Sequence, residues 1–322
     1  MADPANKVLK GDRLALSRLI TDIENDSQDH HTILDQLFPH SGKAHIIGVT
    51  GPSGSGKSTL VNRLALNLVD GKNRGSSHKI GVIAVDPTSP FSGGALLGDR
   101  VRMRDLTSNP DIFIRSMASR GALGGIARAV DSTALVMDAA GFEIILIETV
   151  GAGQSEVEIA RLAHTTIVVE APGLGDDIQA TKAGILEIAD VLVVNKSDKT
   201  AADGTAQTLT AMLSVGEELR AQSNKNSRTT WQVPVIKTSA LNGDGIDDLV
   251  AAVNAHHTFL QEGGEWKIRS TERLRALLER LVRDSLYDVW NDPPNQVKME
   301  EIFRLAAEHK RSPYQSVRDL FK

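Results

Sequence analysis

The stretch that most constrains this chain is Gly51-Pro52-Ser53-Gly54-Ser55-Gly56-Lys57-Ser58-Thr59, which follows the apolar run 45–50 and precedes Leu60, Val61, Leu64, Leu66 and Leu68. The G-x-x-x-x-G-K-[ST] pattern in that setting reads as strand, phosphate loop, helix. Only glycine-rich backbone curls tightly enough to point successive N–H groups at phosphate oxygens, and the following helix start adds its positive dipole end. Gly51, Gly54 and Gly56 make the curl, and Ser53 and Ser55 lend backbone to it. Lys57 is expected to reach the β- and γ-phosphates, Ser58 to ligate Mg²⁺, and Thr59 to help with the α-phosphate.

Strand-like runs recur through the next two hundred residues, at 45–50, 80–85, 112–116, 143–148, 165–170, 190–194 and 233–237. They are short, β-branched and almost continuously apolar, as strands buried on both faces must be. Helical patterns separate most of them, so the expected fold is α/β: a mainly parallel sheet with helices on both faces and ligand loops at the strands' carboxyl ends. Three regions follow from the pattern: an N-terminal helical extension 1–44, a nucleotide domain 45–260 and a C-terminal helical extension 261–322. Leu274, Leu277, Leu278, Leu281, Val282, Leu286 and Val289 form a helical stripe that ends near Pro293-Pro294, with a further helix expected around 299–309. The stripe must bury itself against the core of the nucleotide domain or against a second chain, and because the sheet already accounts for its own helices the second is the favoured expectation.

The base-reading signal is Asn195-Lys196-Ser197-Asp198, at the end of the strand 190–194. Guanine presents two adjacent donors, N1–H and the 2-amino group, and a carboxylate accepts both in a fork. That role falls to Asp198. Asn195 is expected to tie this loop to the phosphate loop, and Lys196 to lay its stem along the purine. A companion loop, Thr238-Ser239-Ala240, follows the last strand; by analogy with G proteins, a backbone N–H near Ser239 and Ala240 is expected to meet the guanine carbonyl.

Three carboxylates are expected near the metal: Asp86 and Glu148 at strand ends, and Asp99 in the Gly/Ser-rich loop. The Gly151 N–H is the expected γ-phosphate sensor, Gln154 a candidate to orient water, and one of Arg100, Arg102, Arg104, Arg115 and Arg120 a candidate charge stabiliser. Asp176 or Asp177 reads as a helix N-cap.

Charge and composition exclude several classes. A net charge of −5 points to no nucleic-acid-binding surface while leaving room for a small basic patch, and the absence of cysteine excludes disulfides and thiolate metal sites. No apolar run approaches a membrane span and the start shows no leader pattern, so the expectation is a cytoplasmic protein.

The chain resembles the MeaB/ArgK family of SIMIBI-type G proteins, relatives of the human methylmalonic aciduria type A protein. The likeness rests on Val85-Asp86-Pro87-Thr88-Ser89, Gly98-Asp99-Arg100-Val101-Arg102-Met103, Ser119-Arg120-Gly121-Ala122-Leu123-Gly124-Gly125, Ile147-Glu148-Thr149-Val150-Gly151-Ala152-Gly153-Gln154-Ser155-Glu156, Pro172-Gly173-Leu174-Gly175-Asp176-Asp177-Ile178-Gln179 and the Asn195–Asp198 segment. It implies a GTPase chaperone, using GTP/GDP and Mg²⁺, for an adenosylcobalamin-dependent acyl-CoA mutase such as methylmalonyl-CoA mutase. GTP hydrolysis then gates cobalamin loading and protects the radical enzyme, the C-terminal helices form a homodimer, and Lys182 belongs to a third switch facing the target. The likeness thins after residue 290. Two rivals are a metallochaperone GTPase and an ArgK-like kinase. The first needs Cys/His clusters, whereas the histidine pairs His30-His31 and His256-His257 are adjacent and are not expected to share a helix face. The second needs a phosphoacceptor pocket and has no use for Asp198.

Overall fold

The computed structural model describes residues 3–27, 30–70, 78–86, 106, 108–118, 125–149, 155–173, 186–223, 231–291, 293–312, 314–315 and 318. Seven strands form one sheet: β1 His45–Thr50, β2 Ile80–Asp86, β3 Ile112–Ala118, β4 Ile144–Glu148, β5 Thr165–Glu170, β6 Val191–Asn195 and β7 Val235–Thr238. Their order is β3-β2-β4-β1-β5-β6-β7, and every neighbouring pair is parallel. The last strand starts two residues later than the sequence pattern suggests, after Pro234, which has no N–H to give a ladder.

The helices are α1 Pro4–Leu9, α2 Arg13–Glu24, α3 His30–Leu37, α4 Lys57–Asp70, α5 Gly125–Ala139, α6 Ser155–Leu162, α7 Ala202–Ser223, α8 Ile246–Glu262, α9 Glu265–Asn291 and α10 Pro293–Ala307. Alternation along each strand sends side chains to opposite faces. On one face Ile47, Val49, Val82, Leu146 and Val193 pack with Leu60, Leu64 and Leu68 of α4 and Leu249, Val250 and Val253 of α8. On the other, Ile46, Ile83, Ile145 and Ile147 meet α5, α6 and the N-terminal helices through Leu16, Leu19, Ile20 and Ile23. Arg13 fastens α2 to the sheet margin, donating to the carbonyls of Pro110 and Ile112. Arg115 on β3 is held by Glu24 and Thr21 of α2. It is a structural cation, which removes it from the candidate charge stabilisers.

Two compact units are present, Met1–Leu274 and Arg275–Lys322. Within the second, Leu278, Val282, Leu286, Tyr287 and Val289 are 48 to 67% exposed. The following helix starts at Pro293 rather than near residue 299. Proline lacks an N–H that the first helical turn leaves unpaired in any case, so Pro293 and Pro294 open α10.

The amino ends of the central strands carry a buried polar cluster that sequence pattern did not announce. Asp190, just before β6, accepts from the Thr166 amide at 2.8 Å and takes two bonds of 2.8 Å from the Arg269 guanidinium of α9. Burial pushes its carboxyl up, but His256, 3.3 Å away, and the bonded Arg269 guanidinium outweigh that and hold it below the usual range. Thr165 Oγ1 lies 2.7 Å from His45 Nε2 and 2.9 Å from His256 Nδ1. A cavity of about 480 Å³ opens beside this edge, lined by His45, His78, Asp138 and His257, at the end of the sheet away from the phosphate loop.

His164 is the cluster's pH-sensitive member. Its Nδ1 accepts the Ile46 amide at 3.1 Å, Nε2 lies 3.2 Å from Arg273 Nη1 and 3.3 Å from Ser270 Oγ, and the ring stacks on Trp266 with centroids 4.0 Å apart. Burial, then the positive charges of Arg273 and Arg269, push its pKa far below the ordinary imidazole value. The unfolded chain therefore binds a proton that the folded chain refuses. This penalty is absent above about pH 6.5 and grows as pH falls, by up to roughly 1.4 kcal/mol per pH unit. Denaturant unfolding between pH 7 and 5 should show stability falling with pH, with a shallower slope in His164→Asn, which keeps an acceptor but cannot titrate. Equal slopes in the two proteins would refute the assignment.

Candidate functional site

The opposite, carboxyl edge of the sheet gathers the phosphate loop, the Asn195–Asp198 loop, the Thr238–Ala240 loop and the ends of β2 and β4. Parallel register puts them there: Asn195 pairs with Thr238, and Val49 with Glu148. The loop after β1 runs close against β5. A Cβ on Gly51, at φ +137°, would stand 2.1 Å from the Val169 carbonyl oxygen, so no side chain fits. At Gly56 a Cβ would stand 2.4 Å from Asn195 Nδ2.

Asn195 joins three segments. Its Nδ2 donates to the Ser55 carbonyl at 2.8 Å, while Oδ1 accepts from Thr238 Oγ1 at 3.2 Å and from the Ala240 amide at 3.0 Å. Lys196 sits in the left-handed region at φ +59° and donates from Nζ to the Gly54 carbonyl at 2.6 Å. Ser239 Oγ donates to Asp198 Oδ1 at 3.0 Å, which fixes that carboxylate on the loop. The Ser197 amide donates to the Thr238 carbonyl at 3.0 Å.

At the phosphate end, α4 begins at Lys57 itself. Lys57 is buried, and its Nζ donates to the carbonyls of Gly51 at 2.8 Å and Pro52 at 3.0 Å, so the ammonium is held over the loop. Ser58 Oγ donates to Glu148 Oε1 at 2.6 Å, joining the first turn of α4 to the end of β4. Thr149 follows with its amide on the Val49 carbonyl and its hydroxyl 3.1 Å from Thr50 Oγ1. The Ser55 hydroxyl is buried and has no hydrogen-bond partner among the described residues.

The structure thus brings together Gly51, Ser53, Gly54, Ser55, Gly56, Lys57, Ser58, Thr59 and Glu148 on one side, and Asn195, Lys196, Asp198, Ser239 and Ala240 on the other. Asp86 ends β2 on the same edge, its side chain lying outside what is described. Asp99, Gly151, Gln154, Lys182 and the pair Asp176 and Asp177 lie outside the described residues. The direct Ser58–Glu148 contact was not foreseen as a bond. Its signal was the coincidence of a strand-ending carboxylate with the hydroxyl after the loop lysine.

This is the fold and edge of a P-loop guanine-nucleotide hydrolase. The model of the family described as "Methylmalonyl Co-A mutase-associated GTPase MeaB" matches residues 16–295, and the chain belongs to that family; it is a GTPase. A Pyrococcus abyssi relative whose name carries only a GTPase designation is 40% identical over 98% of this chain and 94% of its own. GTPase ArgK of Escherichia coli is 34% identical over 89% of this chain and 86% of its own. The Caenorhabditis elegans protein named methylmalonic aciduria type A homolog is 28% identical over 89% of this chain and 73% of its own. A solved structure described as a LAO/AO transport system kinase superposes with TM-score 0.69 at 26% identity, covering 99% of this chain and 95% of that one.

Proposed function

We propose that this GTPase acts as a chaperone of an adenosylcobalamin-dependent acyl-CoA mutase, GTP binding and hydrolysis gating cobalamin loading and protecting the mutase. The observation that carries the reading is the family match over residues 16–295, whose description names association with methylmalonyl-CoA mutase. The name of the Caenorhabditis elegans relative supports the same target class. No helix among the described residues is long and apolar enough to cross a membrane.

The carboxyl edge suits GTP and magnesium. Ser58 Oγ and Glu148 Oε1 are hard oxygens 2.6 Å apart, near the roughly 2.9 Å between adjacent corners of an octahedral Mg²⁺ shell. Ser58 and Glu148 would hold the ion with Asp86 and Asp99, and bound Mg²⁺ would neutralise charge developing on the phosphates. Lys57 supplies the second cation. Its ammonium exchanges the carbonyls of Gly51 and Pro52 for phosphate oxygens without leaving the loop. The buried Ser55 hydroxyl is a further donor within that cradle. Gly151 senses the γ-phosphate, Gln154 orients water and Lys182 reports to the target.

Asp198 reads the base. Held by Ser239, its carboxylate accepts N1–H and the 2-amino group of guanine, with Lys196 along the ring and the Ala240 loop at the guanine carbonyl. Asp198→Asn replaces one acceptor with a donor. GTP affinity should fall by roughly a hundredfold, the loss of about 3 kcal/mol of charge-assisted hydrogen bonding. Xanthosine triphosphate, with a carbonyl in place of the 2-amino group, should then bind better than GTP. Nucleotide titrations that leave GTP preferred would reject Asp198 as the reader.

Steady-state GTPase assays with and without purified methylmalonyl-CoA mutase test the chaperone role. The mutase is expected to raise turnover by roughly tenfold or more by ordering catalytic groups, and Lys57→Ala to abolish both rates. A rate indifferent to the mutase would remove the chaperone reading and leave the GTPase intact. Equal consumption of ATP, or labelling of an amino-acid acceptor, would favour the kinase.

The exposed stripe Leu278, Val282, Leu286 and Val289 is a surface for a second copy of this chain. Light scattering should give a dimer, and Leu278→Glu with Leu286→Glu a monomer with unchanged intrinsic GTPase activity. A dimer surviving both substitutions would place the contact elsewhere.

A further inference from the structure

We infer that Asp26, His30 and His31, at the corner between α2 and α3, form a site for a divalent metal ion of the zinc class, independent of the nucleotide edge. One ligand atom from each residue lies within 4.8 Å of the others. Two imidazoles and a carboxylate are the donors with which proteins hold zinc through three ligands, leaving a fourth position to water. At zinc–ligand distances near 2.0 Å those atoms would stand about 3.3 Å apart, which rotation of the exposed His31 and Asp26 side chains can supply.

His30 is what sets this corner apart from an ordinary surface cluster. It is only 4% exposed, and its Nδ1 bonds the Ser27 carbonyl, which also accepts the His30 amide at 3.2 Å. A carbonyl can only accept, so Nδ1 is the donor here and Nε2 is the nitrogen turned toward Asp26 and available to an ion. That is the arrangement by which proteins orient a metal-binding histidine, one nitrogen on a backbone carbonyl and the other toward the ion. Nε2 stands 3.9 Å from Asp26 Oδ1, close enough for one ion to engage both. A cation between that nitrogen and the carboxylate would draw on both as ligands.

Backbone geometry assembles the third ligand. Neighbouring residues on a helix point about 100° apart, yet in the first turn of α3 the rings of His30 and His31 come to 4.0 Å between centroids, tilted by 37°. Asp26, at φ +53°, closes the end of α2, its amide bonded to the Ile23 carbonyl at 3.2 Å. A bound ion would staple the end of α2 to the start of α3, and α2 is itself fastened to β3 by Arg115 and Glu24.

Calorimetric titration of the full-length, nucleotide-free protein with Zn²⁺, and visible spectra with Co²⁺, test the site. One ion per chain is expected, with a tetrahedral Co²⁺ spectrum and a rise in melting temperature. His31→Ala and Asp26→Asn should each weaken binding at least tenfold while leaving Mg²⁺-supported GTPase turnover unchanged. Asparagine tolerates the left-handed backbone at position 26, and His31 is exposed, so neither change threatens folding. Zinc bound with unaltered affinity in both variants would locate the ion at other carboxylates and overturn the proposal. Absence of binding at micromolar zinc would do the same.

Discussion

The carboxamide of Asn195 is the point on which the nucleotide edge depends. One buried side chain satisfies a carbonyl of the phosphate loop, a hydroxyl at the end of β7 and an amide in the loop beyond it. No other residue type offers a donor and an acceptor so close together at that length, and leaving any of the three partners unpaired in the interior costs about 1–3 kcal/mol. The consequence is geometric. A loop that holds phosphates and a loop that carries Asp198 are separated by nearly 140 residues of chain, yet they are indexed to each other by a single group. Gly56 is the necessary complement, because any side chain there would displace the amide.

Parallel topology decides that such an index is possible at all. With every strand running the same way, the residue that ends each strand arrives at one edge, so Thr50, Asp86, Glu148, Asn195 and Thr238 become neighbours. The other edge collects the residues that begin strands, and there the chain spends its polar groups differently. His45, His164, Thr165 and Asp190 are buried and bonded to one another or to α8 and α9. The amino edge is held by structural pairs. The other is left with hydroxyl, ammonium and carboxylate groups arranged around loops, where chemistry can be carried out.

Much of this was legible in the residues. Short β-branched runs placed all seven strands within a residue or two at each end, because strands buried on both faces leave a nearly continuous apolar trace. The phosphate loop and the Asn195–Asp198 segment were legible because each is a local device whose residue types follow from what it must hold. What escaped depends on contacts distant in sequence. Nothing near Arg115 announces Glu24, and nothing near Asp190 announces Arg269, 79 residues on. The start of α10 was missed for a different reason: a proline pair reads as a break, although at the first turn it opens a helix as readily as it closes one. The adjacent histidines show the same limit, since a helical wheel describes a helix interior and His30 and His31 stand at its first turn.

The Asp190–Arg269 pair bears on where the nucleotide domain ends. A carboxylate buried before β6 is stable as an anion only with a cation beside it, and breaking such a pair by removing one partner costs on the order of 3–5 kcal/mol. The Thr166 amide and the nearby His256 relieve part of that burden, but the bidentate bond comes from α9. Trp266 adds a ring stacked on His164, and Arg269 also donates to the His164 carbonyl at 2.7 Å. The first turns of α9 are therefore part of the sheet's own interior chemistry. A chain cut at residue 262 would expose the His164 ring and leave Asp190 short of its counter-ion, and the sheet would lose the pair that makes its amino edge affordable. Glu265–Leu274 belong energetically with the strands that precede them, whatever surface the remainder of that helix presents.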